Sequence, residues 1–220
     1  MASRQDLQRQ LKKGASQLKL DVSAEKLSQL LDYIELFDKW NRAYNLSAVR
    51  EISEMVSRHL LDSLAVMTHV EQYFATTNAE RFIDVGTGGG LPGIPLAIFF
   101  PEKSFTLLDS NGKKTRFLFQ VKTSLKLKNV TIEHNRVEKF QPSELFDGVI
   151  SRAFASLKDM TDGCAHLLKP DRYFWAMKGV YPLDELAAVE KNYTVASSHR
   201  LLVPNCDGER HLLLLEPTNA

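Results

Sequence analysis

The chain has few cysteines, little net charge and no long apolar run, and each of these features excludes a class of protein. Its 220 residues include two cysteines, far apart and in no CxxC pair, so we expect neither a disulfide framework nor a zinc ribbon. Lysines and arginines number 28 against 27 acidic residues, which excludes a generally polycationic protein. The longest uncharged stretch, residues 85–101, holds glycines and prolines that a membrane span would not carry.

Glycine and proline are also missing from residues 15–85. We therefore expect no flexible linker between the N-terminal part of the chain and the remainder. The first six residues lack the apolar core of a signal peptide, which predicts a cytoplasmic protein without a membrane partner. At 44% hydrophobic and 25% charged residues, a chain of this length can bury a large core unaided.

Residues 1–80 are predicted to be a helical extension packed on a core of residues 81–220. Apolar residues three and four apart form one stripe: Leu27, Leu30, Leu31, Ile34 and Phe37. Residues 52–67 repeat the pattern, with His59 and Ser63 among the recurring positions. Ser23 precedes the first stripe, where its hydroxyl would cap the first turn. The polar and aromatic segment 39–46 between the stripes is predicted to be a loop.

From residue 81 onward, short apolar runs alternate with helical segments. Strands are predicted at residues 82–85, 104–108, 130–132, 148–150, 173–177 and 211–215. Helices are predicted at residues 92–100, 113–125 and 157–168. Alternation of this kind implies an α/β fold, with a parallel sheet covered by helices on both faces.

The strongest chemical signal is the run Asp84-Val-Gly-Thr-Gly-Gly-Gly-Leu-Pro-Gly93, which comes after a predicted strand and opens a helix. A turn of this kind is where open α/β sheets bind nucleotides, and four glycines in five positions exceed the needs of a plain turn. The dinucleotide fingerprint wants a small residue where Leu91 stands, and the lysine of a P-loop is absent. The spacing instead resembles motif I of the S-adenosylmethionine-dependent methyltransferases.

Asp109 ends the next predicted strand, 23 positions after Gly86. A carboxylate at about this distance commonly accepts hydrogen bonds from ribose hydroxyls, so Asp109 is a candidate cofactor residue. The alternative is that Asp109 caps the helix predicted to begin at Lys113. Beside the glycine loop, the ribose interpretation is favoured.

Several segments together resemble the bacterial 16S rRNA guanine-N7 methyltransferase family, first named for glucose-inhibited cell division (protein B). They are residues 39–46, 58–63, 82–98, 107–110, 148–155 and 208–212, and the resemblance spans about residues 31–215. It implies a class I S-adenosylmethionine-dependent methyltransferase fold, Rossmann-like, with a seven-stranded, mostly parallel sheet and the N-terminal helical extension. One departure is Gly89, where the family often has proline.

The resemblance also implies a reaction and a partner. The protein would transfer the methyl group of S-adenosyl-L-methionine, by direct in-line displacement, to N7 of a guanosine in the decoding-region loop of 16S rRNA. Its partner would be 16S rRNA or a small-subunit ribosomal particle, with no obligate protein partner. The cofactor contacts that the resemblance carries over fall on Gly86, Leu91, Val137, Glu138 and Arg152.

Four basic residues are candidates for contacting the RNA: Lys113, Arg136, Lys178 and Arg210. Each lies at or beside an end of a predicted strand, and the carboxyl ends of strands border the ligand crevice in such sheets. For Arg210 the resemblance carries more weight than that rule. His59 and His211 have no second ligand at metal spacing, so we expect them to be structural or to contact RNA, and we expect no metal.

Two other methyl acceptors lack their usual residues. Methylation of an exocyclic amino group typically uses a Pro-Pro loop after the fourth strand, and the chain has no Pro-Pro pair. Methylation of cytosine C5 needs an activated cysteine, and neither Cys164 nor Cys206 has an evident base nearby. Two further classes stay open at this point, a nicotinamide-dependent oxidoreductase and a non-catalytic RNA-binding assembly factor.

Overall fold

The computed structural model describes residues 2–152 and 154–218, and its N-terminal part is helical as predicted. The elements are α1 (Arg4–Gln17), α2 (Ala24–Tyr44), α3 (Ile52–Met55), a π-helical turn (Val56–Leu61), α4 (Asp62–Leu64) and α5 (Met67–Thr76). The predicted cap of α2 is confirmed, because the Ser23 hydroxyl accepts a hydrogen bond from the Lys26 N–H at 3.2 Å. No helix among the described residues is long and apolar enough to cross a membrane.

The predicted loop at residues 39–46 is wrong for most of its length, because α2 continues to Tyr44. The Trp40 ring lies 5.0 Å from that of Tyr44 and 5.7 Å from that of Phe117, so the aromatic side chain of Trp40 packs against neighbours. By contrast, Lys39, Arg42 and Ala43 are exposed. The C-cap is Asn45, whose φ of 54° is the left-handed conformation that asparagine tolerates at this position.

The predicted seven-stranded, mostly parallel sheet is confirmed. Its strands are β1 (Arg81–Val85), β2 (Ser104–Asp109), β3 (Val130–His134), β4 (Phe146–Ser151), β5 (Leu168–Lys178), β6 (Tyr193–Arg200) and β7 (His211–Pro217). They lie in the order β3-β2-β1-β4-β5-β7-β6. The first five positions of that order are joined by parallel pairing, and β7 runs antiparallel to both β5 and β6.

In the part of the chain that the structure describes, four α-helices come after the glycine-rich turn: α6 (Gly93–Phe99), α7 (Gly112–Ser124), α8 (Leu157–Cys164) and α9 (Leu183–Ala187). The helix predicted at residues 157–168 ends early at Cys164 and gives way to a 3₁₀ turn, Ala165–Leu167. Leu168 already belongs to β5, which therefore begins five residues before its predicted start at residue 173.

The helices bury both faces of the sheet. Leu30, Phe37 and Leu60 of the N-terminal helices share one hydrophobic cluster with Phe82 and Trp175 of the strands. On the other face, a second cluster joins α8 to β4 and β5. Because the parallel strands end at one edge, the loops after β1, β2 and β4 meet there, beside the N-terminal helices.

Candidate active site

The glycine loop between β1 and α6 is tied to the end of β2. Gly88, at a φ of +62°, donates its N–H to Asp109 Oδ2 at 2.9 Å. Asp109 Oδ1 accepts the Asn111 N–H at 2.8 Å, and Lys114 Nζ lies 3.7 Å from Oδ2. The cap of α7 is Asn111, whose side chain accepts from the Lys113 N–H, so the alternative role for Asp109 is wrong.

Asp84 lies beneath the same loop and is 2% exposed. Its Oδ2 accepts hydrogen bonds from Thr87 Oγ1 at 2.7 Å and from the Gly93 N–H at 2.8 Å. Its Oδ1 is buried and has no hydrogen-bond partner among the described residues. Burial disfavours the charged form, so the pKa of Asp84 is raised to about 7 despite the two hydrogen bonds.

Helix α2 supports the glycine loop from behind. The buried Tyr33 hydroxyl donates to the carbonyl oxygen of Gly89 at 2.7 Å. A Cβ at position 89 would lie 2.2 Å from Phe37 Cε2, so the Phe37 ring fills the space that a side chain would need. The glycine that departs from the family's frequent proline is thus matched by this aromatic neighbour. The periodicity of α2 indicated that Phe37 is buried, but it did not identify this contact.

Three cavities lie at this edge of the sheet, and the first, of about 330 Å³, is beside the glycine loop. Its lining includes four of the predicted cofactor residues: Gly86, Asp109, Val137 and Glu138. Arg136, predicted to contact RNA, lines this cavity as well. The volume falls within the range of about 300–1,000 Å³ that is usual for small-molecule sites.

The second cavity, of about 210 Å³, lies between the glycine loop and the N-terminal helices. The other two predicted cofactor residues, Leu91 and Arg152, line it together with Phe37 and His59. It has Gly86 and Lys114 in common with the first cavity, so the two adjoin.

The third cavity, of about 420 Å³, is the most basic of the three. Two predicted RNA contacts, Lys178 and Arg210, line it with Arg58 and His211. It has His59 and Arg152 in common with the second cavity, so the three cavities adjoin in a row, which we call the cleft. In that cleft, residues predicted to bind cofactor and residues predicted to bind RNA meet at Arg152.

Two predicted RNA contacts have surroundings that the sequence did not reveal. Lys113 is exposed on α7 and lines none of the three cavities, whereas its neighbour Lys114, which was not predicted, lines two. Lys178 Nζ lies 2.8 Å from Glu185 Oε2 and also donates to the carbonyl oxygen of Phe154 at 3.3 Å. Ala153, part of the segment that carries the resemblance, lies outside the described residues.

His59 faces the cleft as a neutral imidazole at physiological pH. Burial, aided by the positive charge of Arg152, lowers its pKa to about 4. Its Nε2 lies 2.9 Å from Ser47 Oγ, and its ring packs edge-on against Phe37 at 5.2 Å. Over residues 2–152 and 154–218, no group of three or more metal-ligating side chains occurs.

The fold matches that of solved methyltransferases at low sequence identity. The N-methyltransferase NodS from Bradyrhizobium japonicum, solved with S-adenosyl-L-homocysteine, superposes with a TM-score of 0.59 at 11% identity over 83% of this chain and 100% of its own. A ribosomal protein L11 methylase from Lactobacillus delbrueckii gives 0.55 at 15% identity over 72% and 77%. Such likenesses establish the fold, which is that of class I methyltransferases.

Curated relatives are far more similar. The proteins called ribosomal RNA small subunit methyltransferase G are 58% identical in Cellvibrio japonicus, over 96% of this chain and 95% of the relative, and 56% identical in Saccharophagus degradans, over 94% and 90%. The family model described as rRNA small subunit methyltransferase G matches residues 26–213. The chain therefore belongs to the rRNA small subunit methyltransferase G family.

Proposed function

We propose that this rRNA methyltransferase transfers the methyl group of S-adenosylmethionine, in line, to N7 of a guanosine in the decoding-region loop of 16S rRNA. The observation that carries the proposal is the row of three adjoining cavities. A cavity of small-molecule size beside the glycine loop adjoins the second cavity, lined by Leu91 and Arg152, and that cavity adjoins the basic third one. Such an arrangement suits a cofactor at one end and a polyanion at the other.

The residues of the first cavity fit the parts of S-adenosylmethionine. An ionised carboxylate offers about four acceptor positions, and two of those on Asp109 are used by the N–H groups of Gly88 and Asn111. The remaining two match the two ribose hydroxyls. Val137 supplies an apolar wall, and Glu138 a polar group, for a purine at the far side of the cavity.

The protein's own contribution to the reaction is to orient the acceptor. S-adenosylmethionine supplies an electrophilic methyl group, and guanine N7 carries an unprotonated lone pair. Neither group needs a protein base, and the neutral, deeply buried His59 does not provide a cationic acid at neutral pH. Positioning is therefore the main source of rate. A guanidinium that bonds guanine O6 while leaving N7 open would fix the base. Arg152 and Arg210, which both line the third cavity, are the candidates for this contact.

Membership of a methyltransferase family argues against both alternatives left open by the sequence. A nicotinamide-dependent oxidoreductase would also need a smaller residue at position 91, where Leu91 is 4% exposed and lines the second cavity. A non-catalytic assembly factor would have no need for a cofactor cavity that adjoins its RNA surface.

Mass mapping of 7-methylguanosine in rRNA tests the proposal directly. We expect one guanosine of 16S rRNA to lose its N7 methyl group in cells without the gene and to regain it when the gene is restored. Arg210→Ala should restore the mark poorly. Lys12→Ala, which changes an exposed lysine of α1 outside the cleft, should restore it fully. A methyl group at another atom, or in another RNA, would contradict the proposed acceptor.

A further inference from the structure

A buried carboxylate joins the two arginines of the cleft. Asp62 comes directly after the π-helical turn, and its side chain is 4% exposed. Arg152 Nη1 donates to Asp62 Oδ2 at 2.8 Å, and Arg210 Nε donates to Asp62 Oδ1 at 2.8 Å. Arg152 comes directly after β4 and Arg210 directly before β7, so one side chain from the N-terminal helices fixes residues from two separate parts of the sheet edge.

Neither guanidinium uses all of its donors in these contacts. Arg152 Nη1 also donates to the carbonyl oxygen of Arg58 at 3.4 Å. Arg210 Nη1 donates to the carbonyl oxygen of Glu209 at 2.7 Å, and its Nη2 donates to Cys206 Sγ at 3.6 Å. The two arginine side chains remain 27% and 30% exposed, and both line the third cavity. A guanidinium has five N–H donors, so donors are left for a ligand after these bonds are made.

We propose that Asp62 is a positioning residue for methyl transfer, which sets the spacing of Arg152 and Arg210 so that both contact one bound RNA nucleotide. The inference rests on the proposed function in one respect, that RNA enters the third cavity. Asp62 also offsets part of the positive charge that the two arginines bring to the third cavity. Without the carboxylate the two guanidinium groups would repel each other, because like charges close together disfavour the charged forms.

The electrostatic surroundings of Asp62 support this role. Asp62 forms ion pairs with the two arginines and lies near the neutral His59, three positions earlier on the same helical segment. Arg58, Lys178 and His211 line the same cavity without a described bond to Asp62. The segment that presents His59 contains a π-helical turn, a feature often found at functional sites. The carboxylate therefore has the arginines as its charged partners, and its effect on the reaction should pass through them.

A double-mutant cycle tests that dependence. Asp62→Asn, Arg210→Ala and the double variant are assayed by single-turnover transfer of a radiolabelled methyl group to small ribosomal subunits from cells without the gene. We expect Asp62→Asn to slow transfer by about tenfold or more, the usual scale for losing charge-assisted hydrogen bonds. In the Arg210→Ala background the same change should cost clearly less, because residues that act as a unit are non-additive. Because Arg152 is also a candidate cofactor contact, calorimetry measures S-adenosylmethionine binding separately. An affinity within about threefold of wild type supports a role toward the RNA, and a larger loss would overturn it.

Asp147→Asn is the matched control. Asp147 is another buried carboxylate, bonded to Lys169 and to the N–H groups of Glu80 and Arg81, outside the three cavities. Its replacement should lower thermal stability without changing the transfer rate of the folded enzyme. A wild-type rate for Asp62→Asn, or losses that multiply independently in the double variant, would overturn the inference.

A second cycle serves if Asp62→Asn does not fold. Arg152→Lys and Arg210→Lys keep the charge but lose the planar fork, and a shared anchor predicts that their losses are coupled. Independent losses would again overturn the inference. The radiolabel measures methylation at any atom of the subunit's RNA. Both cycles therefore test the role of Asp62 even if the methyl acceptor is an atom other than guanine N7.

Discussion

Replacing Asp84 by asparagine should make the free energy of unfolding less dependent on pH. In the folded protein, burial raises the pKa of Asp84 to about 7 from its ordinary value of 3.8. The unfolded chain therefore releases this proton at lower pH than the folded protein does. The stabilisation that the protonated Asp84 contributes is fully present below pH 3.8, and this contribution is lost as the pH rises through about 7.

The size of the effect is set by the difference between the two pKa values. Each unit corresponds to about 1.4 kcal/mol, so a shift of about three units costs about 4 kcal/mol once the folded carboxyl is ionised. Asparagine has the same shape, and its Oδ1 can accept the hydrogen bonds from Thr87 Oγ1 and the Gly93 N–H. Its amide nitrogen then takes the place of the Asp84 oxygen that has no described partner.

Urea unfolding of both proteins between pH 4 and pH 8 measures this difference. We expect the stability of Asp84→Asn relative to wild type to rise by about 4 kcal/mol across the interval. Taking the difference removes other titrations, such as that of His59, whose lowered pKa of about 4 acts in the opposite direction.

Asp147→Asn serves as the control for this experiment too. Although burial acts to raise it, the pKa of Asp147 is lowered by its bonds to Lys169 and to two backbone N–H groups. Its contribution to stability is present above the ordinary aspartate pKa and is lost only at lower pH, so its difference curve should be flat above about pH 5. A flat curve for Asp84→Asn as well would refute the inference that this carboxyl is neutral in the folded protein at acidic pH.

The remaining predictions concern the glycine loop and the cleft. Asp109→Ala should weaken S-adenosylmethionine binding by about 1–3 kcal/mol in calorimetry, and an unchanged affinity would remove Asp109 from the site. Gly89→Ala should destabilise the fold by about 1–3 kcal/mol, because its Cβ would meet Phe37, and adding Phe37→Leu should recover part of the loss in urea unfolding. Arg210→Ala should lower the salt dependence of RNA binding by about one unit of slope if it contacts a phosphate, and an unchanged slope excludes that contact.

The sequence predicted those helices, strands and caps whose formation depends on residues close together in the chain. The Ser23 cap, the helical spacing of α2 and the apolar strands β1 and β2 are all determined by neighbouring residues. The strand β6 was not predicted because it lies at the edge of the sheet, where its residues are mostly exposed and polar. Its partner β7 has five buried residues in succession and was predicted from that run.

The contacts that organise the cleft could not be predicted in the same way. The family resemblance carried over Arg152, and both the resemblance and the strand ends indicated Arg210, but neither indicated that Asp62 joins them. Periodicity placed position 62 in a helical segment, and a helical pattern does not report which partner arrives from a distant part of the chain. The sequence also could not show that Lys114, and not Lys113, lines the cleft. Which of the two does so depends on how α7 is rotated against the end of β2.

The N-terminal helices form a wall of the cleft, beyond their contribution to the hydrophobic core. Tyr33 bonds the carbonyl oxygen of Gly89, and Phe37 and His59 line the second cavity. Asp62 anchors the arginines of the third cavity. The division of the chain into two parts at residue 80 stays a prediction. The bonds of Tyr33 and Asp62 join residues before this position to residues after it. Because positioning is the main source of rate in the proposed reaction, substitutions in this helical part should slow methyl transfer even where they leave cofactor affinity intact.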